Sequence, residues 1–198
     1  MRIPYSPNPP QPQTPEEEAI VARVQARRAP RPLQPLDLAL LHAPPLADGW
    51  NSFLGAVRTQ TTIPADLREL AISRVAVVNT AWYEWAHHAP LAVAAGVAQD
   101  AMDWLKLQAG DLAEGAVAEE GRRRFSETQW AVLVIADEMT RKVRVSDQTF
   151  ADVMQYFSER EVVEIVTTVA CYNCVSRFLV ALDVGERNSL TPEDATAH

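Results

Sequence analysis

The sequence predicts an all-α fold. Apolar residues recur at helical spacing through most of the chain, helix-start signals head one segment after another, and nowhere does apolar–polar alternation last long enough for a strand. With 198 residues, 47% apolar and 22% charged, the composition is that of a globular domain able to bury a core.

Residues 1–13 hold Pro4, Pro7, Pro9, Pro10 and Pro12 with little apolar content between them, and are expected to form an extended or mobile arm. The rest, 14–198, is expected to be a single helical domain. Thr14-Pro15-Glu16-Glu17 combines an N-cap, a proline at the first helical position and a glutamate three residues after the cap. It opens a helix to about Arg28, stopped by Pro30, Pro32 and Pro35. Short helices follow near Asp37–His42 and Leu46–Arg58. Pro64 opens Ala65–Thr80, where Leu67, Leu70, Ala71, Val75 and Val78 share helical spacing. Trp82–Ala95 is helical again and ends at Gly96, and Gln99–Gln108 closes at Gly110. Asp111–Arg124 carries Gly115 and Gly121 amid charge and reads as a surface loop. Ser126 with Gln129 starts a helix to about Arg141, and Ser146 starts another to Phe157. Ser158 with Glu161 heads a last helix of more than twenty residues ending at Gly185. The total is about eight to nine helices.

The net charge of −8 makes nucleic acid and anionic membrane poor partners. The most apolar long segment, Val162 to Val184, is broken by Glu164, Asn173, Ser176, Arg177 and Asp183, which argues against a membrane span. The N-terminus runs into proline rather than a signal-peptide core, and two cysteines are too few for a disulfide framework; a cytoplasmic setting is expected.

The densest reactive cluster is Trp82-Tyr83-Glu84-Trp85-Ala86-His87-His88. On a helix, Glu84 and His88 stand at i and i+4, about 40° apart, while His87 lies to the other side. A carboxylate beside an imidazole fixes its tautomer and favours its protonated form, which makes a proton-transfer unit. The same spacing also describes an ordinary solvated pair. The helix before it is apolar enough for a core, so Glu69 and Arg74 become candidates for buried charges that need partners. Tyr83 and Trp85 flank Glu84 and can wall a pocket. Arg74, Arg58 and Arg177 are candidate anchors for a substrate carboxylate, Arg74 first among them. Cys171 and Cys174 form a Cys-x-x-Cys pair well inside the last helix, where the plainer reading is two small core residues. Glu84-x-x-His87 matches one quarter of a di-iron motif, and its partner copies are missing; no metal is expected.

Leu67-Arg68-Glu69-Leu70-Ala71 followed by Tyr83-Glu84-Trp85-Ala86-His87-His88-Ala89-Pro90-Leu91-Ala92 and Ala94-Ala95-Gly96-Val97 resembles the carboxymuconolactone decarboxylase family, with its alkylhydroperoxidase D-like helical fold. The likeness is clearest over 64–97 and extends loosely to Tyr172-Asn173 and Arg177-Phe178-Leu179. The family's peroxidase branch uses a glutamate, a Cys-x-x-Cys pair and a histidine. Counted from Glu69, those positions fall on Ala81, Glu84 and His88, so the glutamate and histidine are kept and both thiols are gone. The resemblance therefore implies the decarboxylase-type branch. It implies a small carboxylated lactone or related ring-cleavage product as substrate, no organic cofactor, and a homo-oligomer, trimer or hexamer. Catalytic roles fall to His88, Glu84, which orients it, and Glu69, which holds the network. The rival expectations are a peroxidase-like redox protein working through Cys171 and Cys174, and a non-catalytic oligomer that binds a ligand in the same pocket.

Overall fold

The computed structural model describes residues 1–195, and among these the regular structure is all α-helical, with ten helices and no strand. The chain divides into two compact units, Met1–Gln60 with Leu182–Glu186, and Thr61–Ala181 with the described residues from Arg187 on.

The first unit holds α1 (Pro15–Arg28), α2 (Pro35–Leu40) and α3 (Pro44–Thr59). Thr14 caps α1 by accepting from the Glu17 N–H at 3.2 Å. Ile20, Val21 and Val24 of α1 are buried, as are Ala47, Leu54 and Val57 of α3, against which it packs. The chain turns from α1 into α2 through a buried bidentate ion pair, Arg28 to Asp37 at 2.7 and 2.8 Å. The proline-rich segment is extended and tied down: Ser6 N–H donates to the Leu38 carbonyl at 3.3 Å, and His42 Nε2 to the Pro4 carbonyl at 2.7 Å.

The second unit holds α4 (Ala65–Val78), α5 (Trp82–Ala94), α6 (Gln99–Lys106), α7 (Gly115–Arg124), α8 (Glu127–Lys142), α9 (Asp147–Met154) and nearly all of α10 (Glu159–Leu182). α4 is its central helix. Leu70, Ala71, Ile72, Val75 and Ala76 lie on every side of it and are all fully buried, as expected of a helix apolar all round. It packs against α5 and α8. A short turn through Thr80, with φ of 52°, folds α5 back along α4, closed by Ala81 N–H to the Ala76 carbonyl at 2.8 Å. By length and composition α10 is apolar enough to cross a membrane; its buried residues include Tyr172 and Ser176.

The capping signals hold. Ser126 and Gln129 make both halves of a capping box at 3.3 and 3.2 Å, Ser146 accepts from the Thr149 N–H, and Ser158 with Glu161 caps α10. One element departs from expectation: 115–124 is helix α7, not loop. Glu120 pairs with Arg124 at 2.7 Å and with Arg123 at 2.8 Å along its surface. Gly121, read as a loop signal, is a packing residue, since a Cβ there would lie 2.0 Å from Trp130 Cζ3. The last helix also ends at Leu182, three residues before Gly185.

Candidate functional site

Three helices of the second unit bring polar side chains into its interior. α4 contributes Glu69, α5 contributes Glu84 and His88, and α10 contributes Tyr172 and Ser176, all of them buried. His88 Nδ1 donates to Glu69 Oε2 at 2.6 Å, a short hydrogen bond. The edge of the His88 ring meets Tyr172, centroids 4.9 Å apart and planes at 81°. One turn earlier on α5, Glu84 accepts from the Ser176 hydroxyl, 3.0 and 3.1 Å from its two oxygens. The i,i+4 pair of α5 thus meets an i,i+4 pair of α10 in two rungs, His88 with Tyr172 and Glu84 with Ser176.

This divides the roles differently from the sequence reading. Glu69, from the neighbouring helix, holds the histidine, whereas the hydrogen bond of Glu84 goes to Ser176. The two carboxyls sit in different environments. Glu69 has the imidazole and, at 3.5 Å, the Arg68 guanidinium. Burial raises the Glu84 carboxyl well above its ordinary range, opposed only by the Ser176 hydroxyl. A carboxyl so placed stays protonated where an exposed one is charged.

The other candidates lie elsewhere. Arg74 is fully buried, and its donors are committed: Nε to Asp137 at 2.8 Å, Nη1 to the Gln108 carbonyl at 2.5 Å, Nη2 to the Gly110 carbonyl at 2.7 Å and again to Asp137. Asp137 also receives Arg141 at 2.9 Å and the Leu112 N–H at 3.2 Å. Arg74 is therefore a clamp on the 108–112 turn rather than the expected substrate anchor. Arg177 is exposed and bonds Asn173 of its own helix; Arg58 belongs to the first unit. Tyr83 is buried against His87, ring centroids 4.3 Å apart, and His87 Nδ1 donates to the Tyr83 carbonyl at 2.7 Å. Trp85 sits in the apolar cluster with Trp82, Ala89 and Met102. It lines a 360 Å³ cleft with α6 residues, not the Glu69–His88 pair. A 490 Å³ cleft between α7, α8 and α9 contains none of the expected site residues.

The cysteines divide. Cys174 is exposed, not core, and Cys171 is buried. Burial, helped by Cys174 and Glu84, pushes the Cys171 thiol up to about 12, far from the thiolate that redox chemistry needs. Among the described residues no three His, Cys, Asp or Glu side chains gather in a way that would hold a metal ion. Tyr172 and Ser176 are the site members that sequence reasoning left without a role; the one available signal was their i,i+4 spacing, the same as that of Glu84 and His88.

The model of the carboxymuconolactone decarboxylase family matches residues 44–125, less than half of the chain. That stretch runs from α3 to α7 and takes in Glu69, Glu84 and His88, but neither Tyr172 nor Ser176. No curated protein matches the chain. Two solved structures are similar over most of its length. One is the debrominase Bmp8, in a variant with a cysteine replaced by alanine and in complex with 2,3,4-tribromopyrrole, at a TM-score of 0.67 and 16% identity over 91% of this chain and 89% of that one. The other is apo Bmp8, at 0.65 and 17% over 91% and 92%. At those identities the likeness concerns the fold. The segment 44–125, on which the Glu69–His88 pair is built, is thus the part of the chain that is similar to the carboxymuconolactone decarboxylase family.

Proposed function

We propose that the protein is a small-molecule enzyme that moves protons at carbon with the Glu69–His88 pair, and that its substrate is a small carboxylated lactone or related ring-cleavage product. The observation that carries this reading is the 2.6 Å hydrogen bond from His88 Nδ1 to Glu69 in a buried setting. A carboxylate at that atom fixes the ring's tautomer and stabilises the imidazolium, so that Nε2 becomes the atom that gives or takes a proton. Loss of CO2 from a carbon vinylogous to a carbonyl breaks a C–C bond and leaves its electron pair in a dienolate. The carbon is then protonated, with His88 as the donor. Glu84, held neutral beside Ser176, supplies a second acid one helical turn away. Thiol chemistry through Cys171 and Cys174 finds little support, because the buried thiol is pushed so far up.

Incubation with a panel of carboxylated γ-lactones in D2O tests the reading. The expected result is CO2 release with one deuterium carried into the product. CO2 release from no member of the panel, or product without solvent deuterium, would contradict it. A homo-oligomer belongs to the same proposal, and sedimentation at micromolar concentration showing only a 22 kDa species would remove that part.

A further inference from the structure

A carboxylated substrate needs a cation, and the structure leaves few to choose from. Arg74 is consumed by Asp137 and two carbonyls, and Arg177 is exposed on α10 with Nη1 held by Asn173 of its own helix. Arg68 is different. It precedes Glu69 on α4, and its Nε lies 3.5 Å from Glu69 Oε1, while the other oxygen of that carboxylate accepts from His88. At 3.5 Å the contact is ionic rather than a well-formed hydrogen bond. Nε is itself fully buried with no hydrogen-bond partner among the described residues. The side chain as a whole is 17% exposed, covered but not sealed. A guanidinium presents its donors as a fork that matches a carboxylate in bidentate fashion. Arg68 therefore places an under-used fork at the edge of the proton-transfer pair, with the carboxylate of Glu69 already engaged by His88.

We propose that Arg68 is the substrate-binding residue of this site, holding the carboxylate of a small organic acid beside His88. The inference rests on the proposed function for its substrate class, but its own claim is narrower: the site prefers a carboxylate to the same molecule uncharged. Glu69 then has two roles, steadying His88 through one oxygen and the inner edge of Arg68 through the other.

The test compares binding of γ-butyrolactone-γ-carboxylate and of its uncharged methyl ester by titration calorimetry. The wild type is expected to favour the anion by about tenfold or more, the scale of one charge-assisted contact. Arg68→Gln is expected to erase that preference and Arg68→Lys to keep part of it, both variants retaining the wild-type circular dichroism spectrum and melting behaviour. Lysine keeps the charge and loses the fork, so the series separates charge from geometry. Equal binding of acid and ester by the wild type, binding of neither, or an undiminished preference in Arg68→Gln would overturn the proposal. The two readings fail separately. If wild type and His88→Ala both prefer the anion but no CO2 is released, the carboxylate site stands and the decarboxylation reading falls.

Discussion

Replacing Glu84 by glutamine keeps the size and polarity of a buried group and removes its titration. In the folded protein the carboxyl is 2% exposed, has the Ser176 hydroxyl as its hydrogen-bonding partner, and is raised by burial well above the ordinary carboxylate range. Once the pH passes the unfolded value, the unfolded chain has released this proton and the folded protein still holds it. The stability this group contributes is thus complete below the unfolded value and is lost as pH rises toward the folded one. The loss runs at about 1.4 kcal/mol for each pH unit in that window, since one proton separates the two states. Glu84→Gln should therefore be close to wild type in stability near pH 4. Above the unfolded value the variant should gain on the wild type at that rate, about 1.4 kcal/mol for each pH unit, until the pH reaches the folded value. Urea denaturation of both proteins at half-unit intervals of pH reads this directly. Parallel stability curves would mean that Glu84 ionises in the folded protein as readily as in the unfolded chain, and the neutral-acid assignment would fail.

Asp137→Asn strips the counter-charge from fully buried Arg74, and is expected to cost about 3–5 kcal/mol in chemical denaturation. Arg74→Met with Asp137→Leu should cost much less, because no lone buried charge remains; equal losses would deny the clamp. Gly121→Ala drives a methyl into the Trp130 ring and should destabilise by about 1–3 kcal/mol, with a change in tryptophan fluorescence. Cys174→Ala should be nearly silent in stability, and Cys171→Ala should cost up to about 1–3 kcal/mol of packing; turnover should survive both changes. Dithiol-dependent peroxide reduction lost in the double variant would favour the thiol chemistry instead.

What the sequence made legible follows the range of each interaction. Caps are local: Thr14, Ser126, Ser146 and Ser158 bond to backbone three residues away, so their residue types announce them. The Glu69–His88 pair was within reach for a related reason. Two apolar helices joined by a short turn fold back on each other, which brings the middle of one beside the middle of the next. α7 was hidden because glycine counts against a helix by propensity, and the reason for Gly121 is a tryptophan ring on another helix. Arg74 looked like a ligand anchor because buried arginines need anions, but Asp137 and the carbonyls of a distant turn were not visible beforehand. The α10 half of the site had the same obstacle: Ser176 and Glu84 are 92 positions apart, and only the packing of α5 against α10 joins them.

The central claim is that Glu69 and His88 form one proton-transfer unit, and kcat/KM for His88→Ala, Glu69→Gln and His87→Ala on a single turned-over lactone acid tests it most directly. Loss of a general acid–base group slows a reaction by about 10²–10⁴-fold, so His88→Ala should fall by that much, with Glu69→Gln falling in the same direction. His87 bonds the carbonyl of its own helix and packs on Tyr83, so His87→Ala should stay close to wild type. Equal losses at the two histidines, or full turnover without His88, would contradict the account.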